Sequence, residues 1–229
     1  MWYTAMLRDL KQRQPGHPLR RILWWHCCHM LCVVWFAFSY RFRFFGQSNI
    51  PRTGPVLFVS NHQSMLDPII VGIGASHRQF YAMARATLWN SKPLGWVMDS
   101  LNAIPVDQDN PDASTMKRCI EVLKQNHALL IFPEGARTLT GRTEPFEPGT
   151  MLVIKRAKPT IIPVALEGAY DAWPRTKKLP KPFGRIACTY GEPIEAEDLL
   201  KDRKPKEALE YLQNKVESLR LELAESMNV

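Results

Sequence analysis

Acidic residues are almost missing from the start of this chain. The first 60 residues hold one, Asp9, against eight Lys and Arg, whereas the remaining 169 hold 22 basic and 21 acidic residues, so nearly all of the net charge of +8 lies at one end. Repeats and low-complexity tracts are also missing, which excludes solenoids and disordered chains. Only five cysteines occur: Cys27, Cys28 and Cys32 fall in one apolar stretch and Cys119 and Cys188 are isolated, so no disulfide framework is expected. The cluster HCCHMLC lacks the spacing of a standard zinc-ligand pair and reads as small buried hydrophobes. A pI near 9.4 would suit nucleic acid, but no RNA- or DNA-binding motif accompanies it.

What stands beside the basic arm is apolar. Residues 22–40, ILWWHCCHMLCVVWFAFSY, carry no Asp, Glu, Lys or Arg, with Arg20 and Arg21 before them and Arg41 and Arg43 after. As a helix this segment would be about 28 Å long, close to the ~30 Å hydrocarbon thickness of a bilayer. Length permits a span. His26, His29, the Trp24-Trp25 pair and the flanking cations favour a monotopic or re-entrant helix in the headgroup zone. SYRFRFF follows where a signal peptide would have its small-residue cleavage site, so an anchor is expected and not a cleaved leader.

Downstream, short apolar runs at 56–60, 79–84, 103–106, 128–132, 160–166 and 185–190 read as strands, and 41–45 as a further short one. Helical stretches lie between them, at 68–74, 93–101, 113–126 and 150–157. The alternation predicts an α/β single domain, a largely parallel mixed sheet flanked by helices, with the apolar N-terminal helix as a membrane anchor. Residues 205–227 place Leu209, Leu212, Val216, Leu219 and Leu223 three or four apart, which predicts a terminal amphipathic helix packed on the domain. The expected organisation is an anchor at 1–44, the α/β domain at 45–195 and the helical segment at 196–229.

Two polar turns carry the chemistry. In SNHQSMLDP, His62 and Asp67 are five residues apart, about 140° out of register on a regular helix, so they pair only across a strand-to-helix turn. Val56–Ser60 supplies the strand, and Asp67-Pro68 reads as a helix cap with proline at the first helical position. A carboxylate bonded to one imidazole nitrogen makes the other a general base; the plainer reading is a cap that contains a histidine. Neither Ser60 nor Ser64 sits in a Gly-x-Ser-x-Gly elbow, which disfavours a serine hydrolase, and no second histidine near His62 suggests a metal. In IFPEGARTLTG, Gly135 permits close backbone approach, Arg137 can hold an anionic oxygen, and Glu134 can accept from a hydroxyl or orient Arg137. Pro163, inside the strand-like TIIPVAL, removes a ladder donor and suggests an edge or site-lining position. The loop WPRTKKLPKP, 173–182, is either a solvated turn or a contact for anionic headgroups with Trp173 as interfacial anchor.

NHQSMLD, AIPVDQD, FPEGAR and TIIPVAL follow one another in the order and spacing of the glycerolipid acyltransferases. Over roughly residues 45–195 the chain resembles the bacterial 1-acylglycerol-3-phosphate branch of that family. The resemblance implies transfer of a fatty acyl group from an acyl-CoA or acyl carrier protein thioester to a lysophospholipid acceptor, at a phospholipid membrane on the cytoplasmic face of the inner membrane, with no bound cofactor or metal. It implies His62 as base, Asp67 as its orienting partner, Glu134, Gly135 and Arg137 in acceptor binding with Asn61 beside them, and Pro163 on the acyl side. Many relatives have Arg where Gln108 follows Asp107, which leaves Arg85, Lys117 or Arg118 to hold the phosphate, or points to another lysolipid acceptor. Ala136 stands where Thr or Ser is common. A non-catalytic membrane-binding relative is the reading from another class, and intact His62, Asp67, Glu134 and Arg137 oppose it.

Overall fold

The computed structural model describes residue 11 and residues 16–107 and 113–227; Gln108 lies outside them. Eight strands form one sheet among the described residues: β1 (Tyr40–Phe45), β2 (Val56–Ser60), β3 (Phe80–Arg85), β4 (Ala103–Val106), β5 (Ala128–Ile131), β6 (Thr160–Glu167), β7 (Gly184–Tyr190) and β8 (Ile194–Glu195). Their order is β1-β7-β6-β2-β5-β3-β4, with β8 also against β6. Strands β6, β2, β5, β3 and β4 are mutually parallel, and β7 and β8 meet β6 antiparallel. The sheet is therefore mixed, as the alternation predicted.

The central strands are apolar on both faces because both faces are covered. Phe58, Leu130 and Ile162 point into one core with Ile70 and Val71 of α2 (Asp67–Gly74). Leu57, Leu129 and Ile161 point into the other, against α4 (Ala113–Lys124), α5 (Gly149–Ala157) and α8 (Pro205–Met227). Such two-sided burial is what permits continuous runs such as Val56–Ser60 in place of alternating ones. The terminal helix α8 lies on this second face, with Leu212 and Val216 wholly buried.

Five elements depart from expectation. Strand β1 begins at Tyr40 and pairs in parallel with β7 throughout, so the sheet starts ahead of residue 45. Pro163 is interior, not at an edge, since β6 lies between β7 and β2. Its missing N–H is tolerated because β6 changes partner there, pairing with β8 through Ile161 and with β7 from Val164 onward. The short β8, the one-turn α6 (Ala169–Ala172) and α7 (Ala196–Lys201) carry too little pattern to be predicted.

The apolar segment is helix α1 (Leu19–Ser39), long and apolar enough by length and composition to cross a membrane. Of its 21 residues only Ile22, Trp25 and Phe36 are buried. Cys27 is exposed and Cys28 and Cys32 are half-buried, so the cysteines are not the buried hydrophobes expected. Polar bonds fix α1 along the domain. Arg21 donates to the Asp99 carbonyl at 2.6 Å and Trp24 to Ser100 Oγ at 2.9 Å, both on α3 (Lys92–Ser100), while His29 Nε2 lies 3.2 Å from the Ile73 carbonyl on α2. At the sheet's opposite end from the polar turns, the buried Arg78 guanidinium donates to the carbonyls of Arg52, Gly54 and Asn126, and burial lowers its pKa to about 10.

Candidate functional site

The parallel strands β2 and β5 run side by side, Val59 opposite Ile131, and each ends in a polar turn. Adjacent parallel strands deliver their C-terminal turns to the same end of a sheet, which is where open α/β sheets place their sites. The turn after β2 brings His62, and the turn after β5 brings Phe132, Glu134, Gly135 and Arg137.

His62 Nδ1 lies 2.8 Å from Asp67 Oδ2, with the carboxylate fully buried and the imidazole 19% exposed. As their spacing requires, His62 is in the turn and Asp67 opens α2. The cap differs from expectation. Asp67 is the first residue of the helix, and Oδ2 also accepts the amides of Gln63 at 2.6 Å and Ser64 at 2.7 Å, so the carboxylate ties down the turn that precedes it. Burial pushes the Asp67 pKa up, and the bonds from His62 and the two amides oppose that shift. Among the described residues His62 Nε2 has no hydrogen-bond partner. Neither nearby serine couples to it, since Ser60 Oγ donates to the Asn61 carbonyl and Ser64 Oγ to the Trp173 carbonyl.

The second turn grips the first. Glu134 Oε1 accepts the His62 amide at 2.8 Å, and Thr138 donates its amide to the His62 carbonyl at 2.9 Å. The Phe132 ring stacks on the imidazole with centroids 4.0 Å apart and planes 14° apart. Burial raises the Glu134 carboxyl to about 8, against the opposing amides of His62 and Glu144. Glu134 does not pair with Arg137, which makes no ion pair among the described residues. Burial lowers the Arg137 pKa, as do the nearby positive charges of Arg175 and Arg85, so three guanidinium groups share one neighbourhood. Gly135 has φ +70°, the left-handed conformation that favours glycine, and no close backbone neighbour, so turn geometry explains it better than close approach.

The other expected site residues divide. Asn61 is buried and engaged on both side-chain atoms, accepting from the Leu166 amide at 2.8 Å and donating to its carbonyl at 3.0 Å. It continues the β2–β6 pairing past the end of the strand and so aims the His62 turn. Pro163 is opposite Val59, below the turn, with its carbonyl accepting the Gly191 amide. Lys117 and Arg118 line a separate cleft with Arg21, Tyr81, Asp99 and His127, away from His62. Three contributors were not singled out in the sequence, although two of them lie in the quoted motifs. Phe132 is read as the end of an apolar run. Gln63 bonds Gly141 and Glu167, and Glu167 in turn accepts from Arg220 of α8 at 2.9 Å. Beside Phe132 and Gly135 an apolar cavity of about 110 Å³ is lined by Met83, Met116, Ile131 and Val153.

An oriented imidazole with a free nitrogen, no coupled nucleophile and an unpaired arginine nearby is equipment for deprotonating an acceptor in direct group transfer. The family described as Acyltransferase matches residues 41–167, and this chain belongs to it. It is 28% identical over 154 residues to the 1-acyl-sn-glycerol-3-phosphate acyltransferase of Bacillus subtilis, covering 67% of this chain and 74% of that one. To the protein of the same name from Streptococcus pneumoniae it is 30% identical over 163 residues, 71% of this chain and 58% of the relative. A chloroplastic relative from Arabidopsis thaliana is 27% identical over 173 residues, and the match spans about half its length, 48%. The crystal structure of the 1-acyl-sn-glycerophosphate (LPA) acyltransferase PlsC from Thermotoga maritima shares the fold, with a TM-score of 0.75 at 19% identity, covering 97% of this chain and 89% of that one.

Proposed function

We propose that this protein is a membrane-associated acyltransferase that moves a fatty acyl group from a thioester to the free hydroxyl of 1-acylglycerol-3-phosphate, forming phosphatidic acid. The observation that carries the reading is the 2.8 Å bond between His62 Nδ1 and the buried Asp67, which leaves Nε2 as the available base. Relatives of that name over two thirds of the chain support the acceptor.

In this reading His62 Nε2 takes the proton of the acceptor hydroxyl as its oxygen attacks the thioester carbonyl. The tetrahedral intermediate collapses with loss of thiolate, and the imidazolium returns the proton to the departing sulfur. The new ester bond replaces the thioester bond, and no covalent enzyme intermediate forms. Asp67 holds the imidazole tautomer and stabilises the imidazolium. Glu134 and Asn61 fix the turn that carries His62. Arg137, with Arg85 close by, meets the acceptor phosphate, and Gly135 shapes that turn. The apolar cavity beside Phe132 receives part of an acyl chain, with Pro163 behind it on the acyl side. Coenzyme A or acyl carrier protein carries the donor.

Residues 1–44 serve as anchor, 45–195 as catalytic domain and 196–229 as a packing segment, with β1 drawn from the first part into the sheet. The bonds that hold the first half of α1 to α2 and α3 favour a helix lying in the cytoplasmic face of the membrane over one that threads it.

The test is acyl transfer from labelled acyl-CoA and acyl carrier protein thioesters to a panel of lysolipids. Wild type is expected to acylate 1-acylglycerol-3-phosphate, and His62→Ala to lose about 10²-fold or more. Transfer unchanged in His62→Ala overturns the mechanism, and preference for another lysolipid overturns the acceptor.

A further inference from the structure

Between α6 and β7 the chain runs through WPRTKKLPKPF, residues 173–183, with Arg175, Lys177, Lys178 and Lys181 and no acid. Trp173 is not its outward anchor. The indole is packed on the core, and its N–H donates to the Lys177 carbonyl at 2.9 Å. Two other apolar side chains stand out in its place: Leu179 is 79% exposed and Phe183 72%. Either would be unremarkable alone, but both sit in one basic loop.

The loop is fixed at both ends, and the ends have meaning. At its start Ser64 Oγ, two residues past His62, donates to the Trp173 carbonyl at 2.9 Å. Near its finish the Tyr40 hydroxyl donates to the Lys181 carbonyl at 2.8 Å, and Tyr40 is the register partner of Gly184. Tyr40 directly follows α1, whose last turns expose Trp35 and Phe38, the latter 82%. The apolar tip of the loop therefore adjoins the exposed end of α1, and the loop strings from there back to the catalytic turn.

We infer that this loop is a second bilayer contact: Leu179 and Phe183 enter the interfacial zone of an anionic phospholipid membrane while the lysines meet headgroup phosphates. The inference rests on the reading of α1 as membrane-seated. Apolar side chains interleaved with cations suit a lipid interface, where burial of apolar area and attraction to anionic headgroups act together. The loop then brings the lipid surface to the side of the site formed by Ser64 and Trp173.

The experiment uses the full chain with the photoreactive residue p-benzoylphenylalanine in place of Leu179, of Leu31 on α1, or of Lys215 on α8. Each is illuminated with vesicles of phosphatidylcholine alone or mixed with phosphatidylglycerol. Lipid adducts are expected from positions 179 and 31 and not from 215, with the 179 adduct strengthened by phosphatidylglycerol. Changing Lys177, Lys178 and Lys181 together to Gln is expected to weaken binding to the anionic vesicles on the order of a hundredfold. Adducts from 31 without 179 overturn the loop contact and leave the anchor standing. Adducts from 179 without 31 support the loop and overturn the anchor; none from either overturns both. Unchanged vesicle affinity in the triple variant also overturns the inference.

Discussion

His62 and Asp67 are joined through a single carboxylate oxygen, Oδ2, while Oδ1 is buried with no hydrogen-bond partner among the described residues. Because Oδ2 also holds the amides of Gln63 and Ser64, one atom both orients the imidazole and shapes the turn that carries it. Charge and shape can be separated by substitution. Asp67→Asn keeps an acceptor oxygen but loses the negative charge that stabilises an imidazolium. Its kcat is expected to fall on the order of 10²–10⁴-fold with little change in KM. Asp67→Ala is expected to lose activity and, in addition, about 2–4 kcal/mol of stability, read from urea unfolding.

Glu134 makes stability depend on pH. Its folded pKa, about 8 through burial, lies above the ordinary carboxylate value of 4.5. The folded state therefore binds more protons than the unfolded state between those values, and this contribution is full below 4.5 and is lost as pH rises through 8. The slope for one proton is at most about 1.4 kcal/mol per pH unit. Glu134→Gln keeps an acceptor for the His62 amide and removes the titration. Unfolding midpoints measured from pH 5 to pH 8 are expected to fall less steeply in the variant than in wild type; equal slopes would contradict the assignment.

Two glycines of similar φ should respond unequally. Gly46 and Gly135 have φ +67° and +70°, but a Cβ on Gly46 would run into the Tyr190 carbonyl, whereas one on Gly135 would meet only Glu147 Cγ at 3.8 Å. Gly135→Ala is expected to cost about 1 kcal/mol, with its larger effect on activity through the displaced turn. Gly46→Ala combines strain with overpacking and is expected to cost about 2–4 kcal/mol. Thermal unfolding of the pair in parallel makes the comparison.

Asn61 acts as a piece of backbone. Asn61→Ala leaves both the N–H and the carbonyl of Leu166 buried and unbonded, with an expected loss of about 2–4 kcal/mol. Asn61→Asp keeps the acceptor for the Leu166 amide and sets a carboxylate against its carbonyl, so it is not expected to rescue. Urea unfolding of both variants decides whether the clamp needs the whole amide.

Strands and long helices were legible because their residues carry the pattern locally. Val56–Val59 is apolar throughout and bounded by Pro55 and Ser60, and α8 repeats its leucines at helical spacing. The His62–Asp67 pair was legible for the same reason, since five residues and a helix start define it. The grip of Glu134 on His62 was not, because the bond crosses 72 positions and exists only through the adjacency of β2 and β5. The edge reading of Pro163 misled because proline marks an absent donor and cannot say that a strand changes partner at that point. Trp173 misled because composition marks aromatics without telling which of them the core has taken.

Helix α2 begins at Asp67 and ends at Gly74, and His29 of α1 is bonded to Ile73 in its last turn. Seven residues of helix, about 9 Å from Asp67 to Ile73, thus join the seat of the apolar helix to the carboxylate that holds His62. In the proposed membrane-seated arrangement a strut of that kind works as a depth gauge: wherever α1 settles in the interface, the height of the imidazole above the hydrocarbon is set with it. On that proposal, selection of the acceptor has a vertical component, in which a hydroxyl is acylated for the level at which its lipid floats as well as for the phosphate it carries.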